Sequence, residues 1–212
     1  MIIEVKRNLS ENEINALAEK YKAIIVADAD RKLLVSSSSL KEIDIADETQ
    51  IEQHWVFDND MQLSSRKFMS QTRNVNIGSF TTGKDESIVI IGPCSVESEE
   101  QIEQTAALIK ENGLKSLRAG CFKPRTSPYS FQGMGIDGLK LLAKMREKYG
   151  FSIVTEVRDS THVDAVIEYA DVVQVGAKAM YDHGILRACG KARKPVLLKR
   201  GFGTTLQEFV QA

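Results

Sequence analysis

The hydrophobic and polar positions of the chain follow two patterns, and the change falls near residue 88. Before it, short apolar segments at 2–6, 23–28, 32–36 and 54–57 predict strands, and one helix is predicted after Ser10. Ser10 and Glu13 have the spacing of a helix-capping box. Strands and a helix in so few residues are typical of a small α+β layer, so we predict a ferredoxin-like domain of regulatory type over residues 1–68.

Residues 69–87 are polar and lack a sustained hydrophobic period. We interpret them as a linker, which could contain a hairpin between Gly78 and Gly83 because glycine favours tight turns.

From residue 88 the pattern becomes a repeat of strand and helix. The predicted strands are 88–91, 115–119, 152–156, 172–175 and 196–199, and the predicted helices begin at Glu99, near Asp137, after Ser160, near Asp182 and near Thr204. Nearly continuous apolar strands of this kind predict a parallel sheet covered by helices. An open doubly wound sheet and a (β/α)8 barrel both remain compatible with five such units.

The polar positions at the strand ends favour the barrel. Strand alternation places Arg118, Glu156, Gln174 and Lys199 on the face opposite the apolar residues. Active sites of (β/α)8 barrels lie at the carboxyl ends of their strands. We therefore predict an α/β fold, a TIM barrel with about five of its eight units in residues 88–212. Five units cannot close a barrel, so we expect a fragment with open strand edges that self-associates.

Charge and composition exclude several classes of partner. The chain has 28 Lys plus Arg against 29 Asp plus Glu, a net charge of −1, which does not favour nucleic acid or an anionic membrane surface. Its apolar runs are far shorter than the roughly 20 residues of a membrane span, and the N-terminal residues do not resemble a signal peptide. We expect a cytoplasmic protein with no nucleic-acid or membrane partner.

The three cysteines lack the spacing of a disulfide framework or a structural zinc site. Cys94 directly follows the first predicted strand of the repeat, where a thiol could be a metal ligand, a nucleophile or an ordinary buried cysteine. The histidines do not have metal-ligand spacing either and are interpreted as surface or core residues: His54, His162 and His183.

The segment 123–133 combines cations, hydroxyls and prolines in one loop. Such a loop suits phosphate recognition, because arginine offers a fork of donors and lysine a compact charge, although a solvated surface loop is equally compatible. The GxGxxG pattern from Gly133 to Gly138 follows this loop rather than a strand. We therefore interpret these glycines as turn and helix-entry residues, with a dinucleotide site as the minor alternative.

Six segments together resemble the 3-deoxy-D-arabino-heptulosonate 7-phosphate (DAHP) synthase family, in the branch with a small N-terminal regulatory domain. They are GPCS at 92–95, LRAG at 117–120, KPRTSPYSFQG at 123–133, TE at 155–156, QVGA at 174–177 and PVLLKRG at 195–201. The resemblance implies condensation of phosphoenolpyruvate with erythrose 4-phosphate, with release of phosphate, as the first step of the shikimate pathway. A catalytically incomplete family member that acts as a binding or regulatory subunit is the alternative.

The resemblance also implies roles for individual residues. Lys123 and Glu156 would be catalytic, with Glu156 ordering a water near phosphoenolpyruvate, and Cys94 would be a ligand of a divalent metal such as Mn, Fe or Zn. The other metal ligands of the family, a His, a Glu and an Asp, would have to be supplied as well. The implied substrate-binding residues are Arg118, Lys123, Lys178 and Lys199 for phosphoenolpyruvate, and Arg125, Thr126 and Ser127 for erythrose 4-phosphate. At Lys178 the family has an arginine, so a bidentate clamp becomes a point charge. A homo-oligomer is expected.

Overall fold

The computed structural model describes residues 1–78, 80–83, 87–123, 125 and 127–212, and the chain forms two compact units. The first comprises Met1–Thr72 with Leu206–Gln211, and the second comprises Arg73–Thr205 with Ala212. The division at residues 72 and 73 falls within the segment 69–87 that the sequence assigns to a linker. The predicted domain limits at 68 and 87 stay predictions.

The first unit is an antiparallel four-stranded sheet in the order β2-β3-β1-β4. Its elements are β1 (Ile2–Val5), α1 (Glu11–Lys20), β2 (Ile24–Asp28), β3 (Arg31–Val35), a 3₁₀ helix (Ile45–Gln50), β4 (Ile51–Trp55), a second 3₁₀ helix (Gln62–Ser64) and, from the end of the chain, α6 (Leu206–Gln211). The predicted capping box is confirmed: Ser10 Oγ accepts from the Glu13 amide, and the Ser10 amide donates 2.8 Å to Glu13 Oε2.

Both faces of this sheet carry apolar side chains, because successive strand residues point to opposite faces. On one face, Ile3 and Leu34 are packed against Ile14 and Leu17 of α1. The other face is built around a smaller cluster: Ile2, Leu33 and Phe57, with Trp55, Leu63 and Phe68 against it. The strand predicted at 54–57 was placed too late, since β4 begins at Ile51 and its exposed polar middle conceals the strand pattern.

The second unit contains a parallel sheet in the order β10-β9-β8-β7, with helices following the strands. Its elements are β5 (Val75–Ile77), β6 (Phe80–Thr82), α2 (Glu99–Glu111), β7 (Ser116–Arg118), α3 (Gly135–Tyr149), β8 (Ser152–Val157), a 3₁₀ helix (Ser160–His162), α4 (Val163–Tyr169), β9 (Val172–Val175), a 3₁₀ helix (Ala177–Ala179), α5 (His183–Lys191) and β10 (Val196–Leu198). The parallel sheet and its helices confirm the predicted α/β fold.

The alternation of the parallel strands sends their side chains into two cores. Leu117, Ile153 and Val173 belong to a large buried cluster with residues of the helices, as predicted. Val154 and Val172 point the other way and pack with Ile77 and Phe80, which belong to the antiparallel hairpin of β5 and β6. The hairpin expected around Gly78 to Gly83 is present but begins earlier, at Val75, and it contributes to the core of the second unit.

The strand predicted at 88–91 is not formed as a strand. Only Ile91 makes a parallel bridge, to Leu117, and its carbonyl accepts a 2.8 Å hydrogen bond from the Arg118 amide. Val89, Ile90 and Ile91 are 48%, 37% and 45% exposed. In the described part of the chain, the other residues of this segment form no bridge and stay outside the ladder with β7.

Across the residues described by the structure, no helix is both long and apolar enough to cross a membrane.

Candidate active site

Three polar side chains lie close together towards the carboxyl ends of neighbouring strands. Arg118 is the last residue of β7, Glu156 is the fifth of the six residues of β8, and Gln174 lies on β9 directly opposite Glu156 in the parallel register. Because parallel strands run in one direction, these carboxyl ends meet at one edge of the sheet. The end of the sheet that the sequence singled out is therefore where the structure brings these residues together.

The three side chains form a hydrogen-bonded and charged group. Gln174 Nε2 donates 2.6 Å to Glu156 Oε2, and Arg118 Nε donates 3.4 Å to Gln174 Oε1. Arg118 Nη2 is 3.6 Å from Glu156 Oε2, and both charged side chains are slightly more than one-fifth exposed. The guanidinium thus has a carboxylate neighbour but retains access to solvent.

Gly176 provides the space that Glu156 occupies. A Cβ added at this position would lie 3.1 Å from Glu156 Cδ and nearer still to its Oε1. The backbone at Gly176, with φ −69° and ψ 159°, is open to any residue, so the requirement for glycine here is one of space.

Lys123 and Cys94 form a second close contact of the site. Lys123 Nζ lies 3.0 Å from Cys94 Sγ and also donates to the Cys94 carbonyl, which is 3.5 Å from Arg118 Nη1. The hydrogen bond and charge of Lys123, assisted by Arg118 and Arg125, lower the pKa of the Cys94 thiol. Thiolate is the form of cysteine that binds metals and acts as a nucleophile.

One thiolate is not a complete metal site. Among the residues that the structure describes, no group of three or more His, Cys, Asp or Glu side chains could hold a metal ion. Cys94 fits the role of a single ligand, but the described residues do not fit a full coordination sphere.

Beside this pair lies a pocket of about 420 Å³ lined by Lys123, Arg125, Arg158 and His162, among other residues. The His162 ring stacks on Phe122 with the ring centroids 3.9 Å apart. Arg158 was missed by the sequence analysis, although a detectable signal was present. It directly follows an apolar strand, where a cation is expected to meet an anion.

The remaining predicted site residues, where the structure describes them, lie outside the hydrogen-bonded group of Arg118, Glu156 and Gln174. Lys178 and Lys199 are both exposed. Lys178 lies in the 3₁₀ helix after β9. Lys199 directly follows β10, and its amide donates a 3.0 Å hydrogen bond to the Val175 carbonyl of β9. Ser127 Oγ accepts from the Tyr129 amide at 3.3 Å, within the loop. Thr126 lies outside the described residues.

The glycines of the GxGxxG pattern act as turn and helix-entry residues, as interpreted. Gly133 and Gly135 have φ values of 96° and 59°, which residues other than glycine rarely adopt. The Gly135 amide donates 2.9 Å to the Cys121 carbonyl, and α3 begins at this residue.

The fold and the site together define an α/β protein with cations and a carboxylate at the carboxyl ends of its parallel strands. Residues 59–212 match the model of the DAHP synthetase I family. The chain belongs to this family.

Individual relatives agree with this assignment. Over 149 residues the chain is 44% identical to phospho-2-dehydro-3-deoxyheptonate aldolase of Thermotoga maritima, covering 70% of this chain and 44% of the relative. It is 35% identical over 130 residues to 2-dehydro-3-deoxyphosphooctonate aldolase of Bordetella petrii, covering 58% of this chain and 46% of that protein. The chain thus spans about half the length of the curated relatives it matches.

A solved structure extends the similarity to both units. The crystal structure of the Thermotoga maritima phospho-2-dehydro-3-deoxyheptonate aldolase, also called DAHP synthase, matches with a TM-score of 0.69 and 33% identity. That match covers 99% of this chain and 63% of the solved one. A truncated form of the synthase from the same organism matches with a TM-score of 0.63 and 37% identity, covering 71% of this chain and 53% of the other.

Proposed function

We propose that this chain acts as a 3-deoxy-7-phosphoheptulonate synthase, which condenses phosphoenolpyruvate with erythrose 4-phosphate and releases inorganic phosphate. The observation that carries the proposal is the group of cations around Glu156 and Cys94 at the carboxyl ends of β7 and β8. Two phosphorylated anions repel each other in water, and fixed cations reduce this repulsion while they align the reactants. The family membership supports the same reaction.

In this proposal, Arg118, Lys123 and Lys199 bind phosphoenolpyruvate, together with Lys178. Carbon 3 of phosphoenolpyruvate forms the new bond with the aldehyde carbon of erythrose 4-phosphate. The aldehyde oxygen takes up a proton, and water adds at carbon 2 and loses a proton. The bond between carbon 2 and its phosphate-bearing oxygen then breaks, which leaves the ketone and releases inorganic phosphate. The lysine ammonium groups stabilise the negative charge that develops on the substrate oxygens during these steps.

Glu156 is suited to orient the water that adds to carbon 2. Its carboxylate is held by Gln174 at 2.6 Å and lies beside the guanidinium of Arg118. A fixed carboxylate can accept a hydrogen bond from water and direct the oxygen towards carbon 2. The ammonium group of Lys123, which lies 3.0 Å from Cys94 Sγ, would be a proton donor beside the reacting carbons.

The pocket beside Lys123 would take the erythrose 4-phosphate. Arg125 and Arg158 both line it, and no carboxylate of the described chain is found within 4.0 Å of either guanidinium. Thr126 and Ser127 directly follow Arg125 in the sequence. Arginine forks bind phosphate oxygens in pairs, so this pocket suits the phosphate group of the aldose.

Cys94 would supply one ligand to a divalent metal such as Mn, Fe or Zn. A bound metal would polarise the aldehyde as a Lewis acid. The described residues do not complete such a site, so its other ligands would have to be supplied from outside them.

We also propose the larger architecture that the sequence suggested. The first unit has the strand order and directions of a ferredoxin-like domain, with the 3₁₀ helix Ile45–Gln50 where a second helix would lie, and we assign it a regulatory role. The second unit would correspond to consecutive units of a (β/α)8 barrel. A cytoplasmic location and a homo-oligomer complete the proposal, and sizing chromatography at micromolar concentration tests the latter.

The test is a phosphate-release assay with mass analysis of the product. Purified chain, phosphoenolpyruvate, erythrose 4-phosphate and Mn²⁺ should yield phosphate and a seven-carbon phosphorylated product, and each omission should abolish it. Arg118→Ala should bind phosphoenolpyruvate at least about tenfold more weakly than the parent chain, because a charge-assisted contact is lost. Tight binding without turnover would favour the alternative, a non-catalytic binding or regulatory subunit.

A further inference from the structure

Gln174 is a buried polar residue that joins two charged residues of the site. Its side chain is only 4% exposed, and its amide lies between Arg118 Nε and Glu156 Oε2. A guanidinium only donates hydrogen bonds and an ionised carboxylate only accepts them. One orientation of the amide satisfies both neighbours, with the oxygen towards Arg118 and the nitrogen towards Glu156.

Without this amide, Arg118 and Glu156 would be free to form a closer ion pair. Their nearest charged atoms are already 3.6 Å apart, in a site where both side chains are mostly buried. Opposite charges attract more strongly there than in bulk water. A paired guanidinium would have its charge offset by the carboxylate and would bind an anionic substrate less well.

We propose that Gln174 is a positioning residue that holds the Glu156 carboxylate back and occupies the Nε edge of Arg118. Among the described residues, the terminal nitrogens of the guanidinium have only long contacts, Nη1 at 3.5 Å from the Cys94 carbonyl and Nη2 at 3.6 Å from Glu156 Oε2. Each of them carries two N–H donors, so donors remain for the anion. This inference rests on the proposed function, because the anion is taken to be phosphoenolpyruvate. Gly176, which directly follows β9, supports the arrangement by leaving room for the carboxylate.

The first unit offers a matched control for this role. Gln62 is also 4% exposed, and its Nε2 donates a 2.7 Å hydrogen bond to the Ser36 carbonyl. It therefore has the same residue type, burial and side-chain donor, but this hydrogen bond goes to a neutral backbone carbonyl rather than to a charged side chain. Gln62→Met measures what the loss of a buried glutamine hydrogen bond does to folding alone.

The experiment measures phosphoenolpyruvate affinity by calorimetric titration of the full chain without added metal, together with urea unfolding. Gln174→Met should weaken binding about tenfold, the size of effect expected when one charge-assisted contact is lost. Gln62→Met should lose a comparable amount of stability and bind as the parent chain does. Gln174→Glu should bind more weakly than Gln174→Met, because it brings a second carboxylate against Arg118 and Glu156.

The possible results separate the two proposals. Unchanged affinity in Gln174→Met or Gln174→Glu overturns the positioning role and leaves the proposed function intact. Equal weakening in Gln174→Met and Gln62→Met also overturns it, since the effect would then be one of stability. Failure of the parent chain to bind phosphoenolpyruvate removes the proposed function and this inference with it. Should Gln174→Met not fold, Gln174→Asn withdraws the amide by one methylene and is judged by the same criteria.

Discussion

Replacing Gly176 by alanine should displace the Glu156 carboxylate without straining the backbone. The new Cβ would lie 3.1 Å from Glu156 Cδ, which is closer than such carbons normally approach, so the carboxylate has to move. The movement would break its 2.6 Å hydrogen bond with Gln174. The displaced group can approach Arg118, whose Nη2 is already 3.6 Å from Oε2.

The expected change in stability is small because two effects oppose each other. Alanine in a backbone conformation that it can adopt adds about 0.4–1 kcal/mol by reducing the entropy of the unfolded chain. Loss of a hydrogen bond to a charged group costs about 1.5–3 kcal/mol, and water at this partly exposed carboxylate keeps the cost near the lower end. The free energy of unfolding should therefore fall by about 1 kcal/mol. Phosphoenolpyruvate affinity should fall about tenfold, because the carboxylate offsets the charge of Arg118.

Urea unfolding and calorimetric titration with phosphoenolpyruvate measure both quantities. Gly190→Ala is the control, since a Cβ at this position of α5 meets nothing within 4 Å. It should raise stability by about 0.5–1 kcal/mol and leave affinity unchanged. Parent-like affinity in Gly176→Ala would refute the reasoning. A stability loss above about 3 kcal/mol would also refute it, because a rotatable carboxylate would not resist displacement so strongly.

Three further predictions concern other parts of the chain. Iodoacetamide at pH 8 should alkylate Cys94 at least about 10³-fold faster than Cys121, because burial raises the pKa of Cys121 to about 12 whereas the pKa of Cys94 is lowered. Mass spectrometry measures the two rates, and similar rates would contradict this. Arg158→Ala should weaken erythrose 4-phosphate binding about tenfold, with exposed Arg187→Ala as the unaffected control, and equal affinities would exclude Arg158 from the pocket. Hydrogen bonds from Lys148 and Tyr149 of α3 lower the pKa of Glu103 below 4.5, so the stabilisation from its carboxylate is complete above pH 4.5 and is lost on acidification. The difference in unfolding free energy between the parent and Glu103→Gln, measured in urea, should therefore disappear well below that pH. A difference that does not change with pH would contradict this.

The sequence was sufficient for the helices and strands whose signals are local. The start of α1 follows from the capping box of Ser10, and the start of α2 from Ser98, whose side chain accepts from the Gln101 amide. The end of α3 follows from Gly150, which is left-handed with φ 76°. The strand 172–175 was clear because three of its four residues are apolar.

Features that depend on distant neighbours were harder to predict. The segment 88–91 is apolar enough for a strand, but only Ile91 forms a bridge, to Leu117 of β7. The role of Ile77 and Phe80 in the core of the second unit depends on their meeting Val154 and Val172. No local pattern carries that information.

The candidate site shows the same division. Strand alternation placed Arg118, Glu156 and Gln174 on one face, and their hydrogen bonds agree with it. The contact between Lys123 and Cys94 joins residues 29 positions apart and could not be read from spacing. The pocket at Arg158 likewise depends on a loop that returns to the sheet from another strand.

The hairpin of β5 and β6 determines where the chain can be divided. A shortened protein that began at residue 88 would lack Ile77 and Phe80, and it would expose Val154 and Val172 to water. It would also lose the hydrogen bond from Ser152 Oγ to the Ile77 carbonyl. A preparation of the second unit alone should therefore begin no later than Arg73. The segment that resembles a linker in sequence supplies Ile77 and Phe80 to the core of that unit.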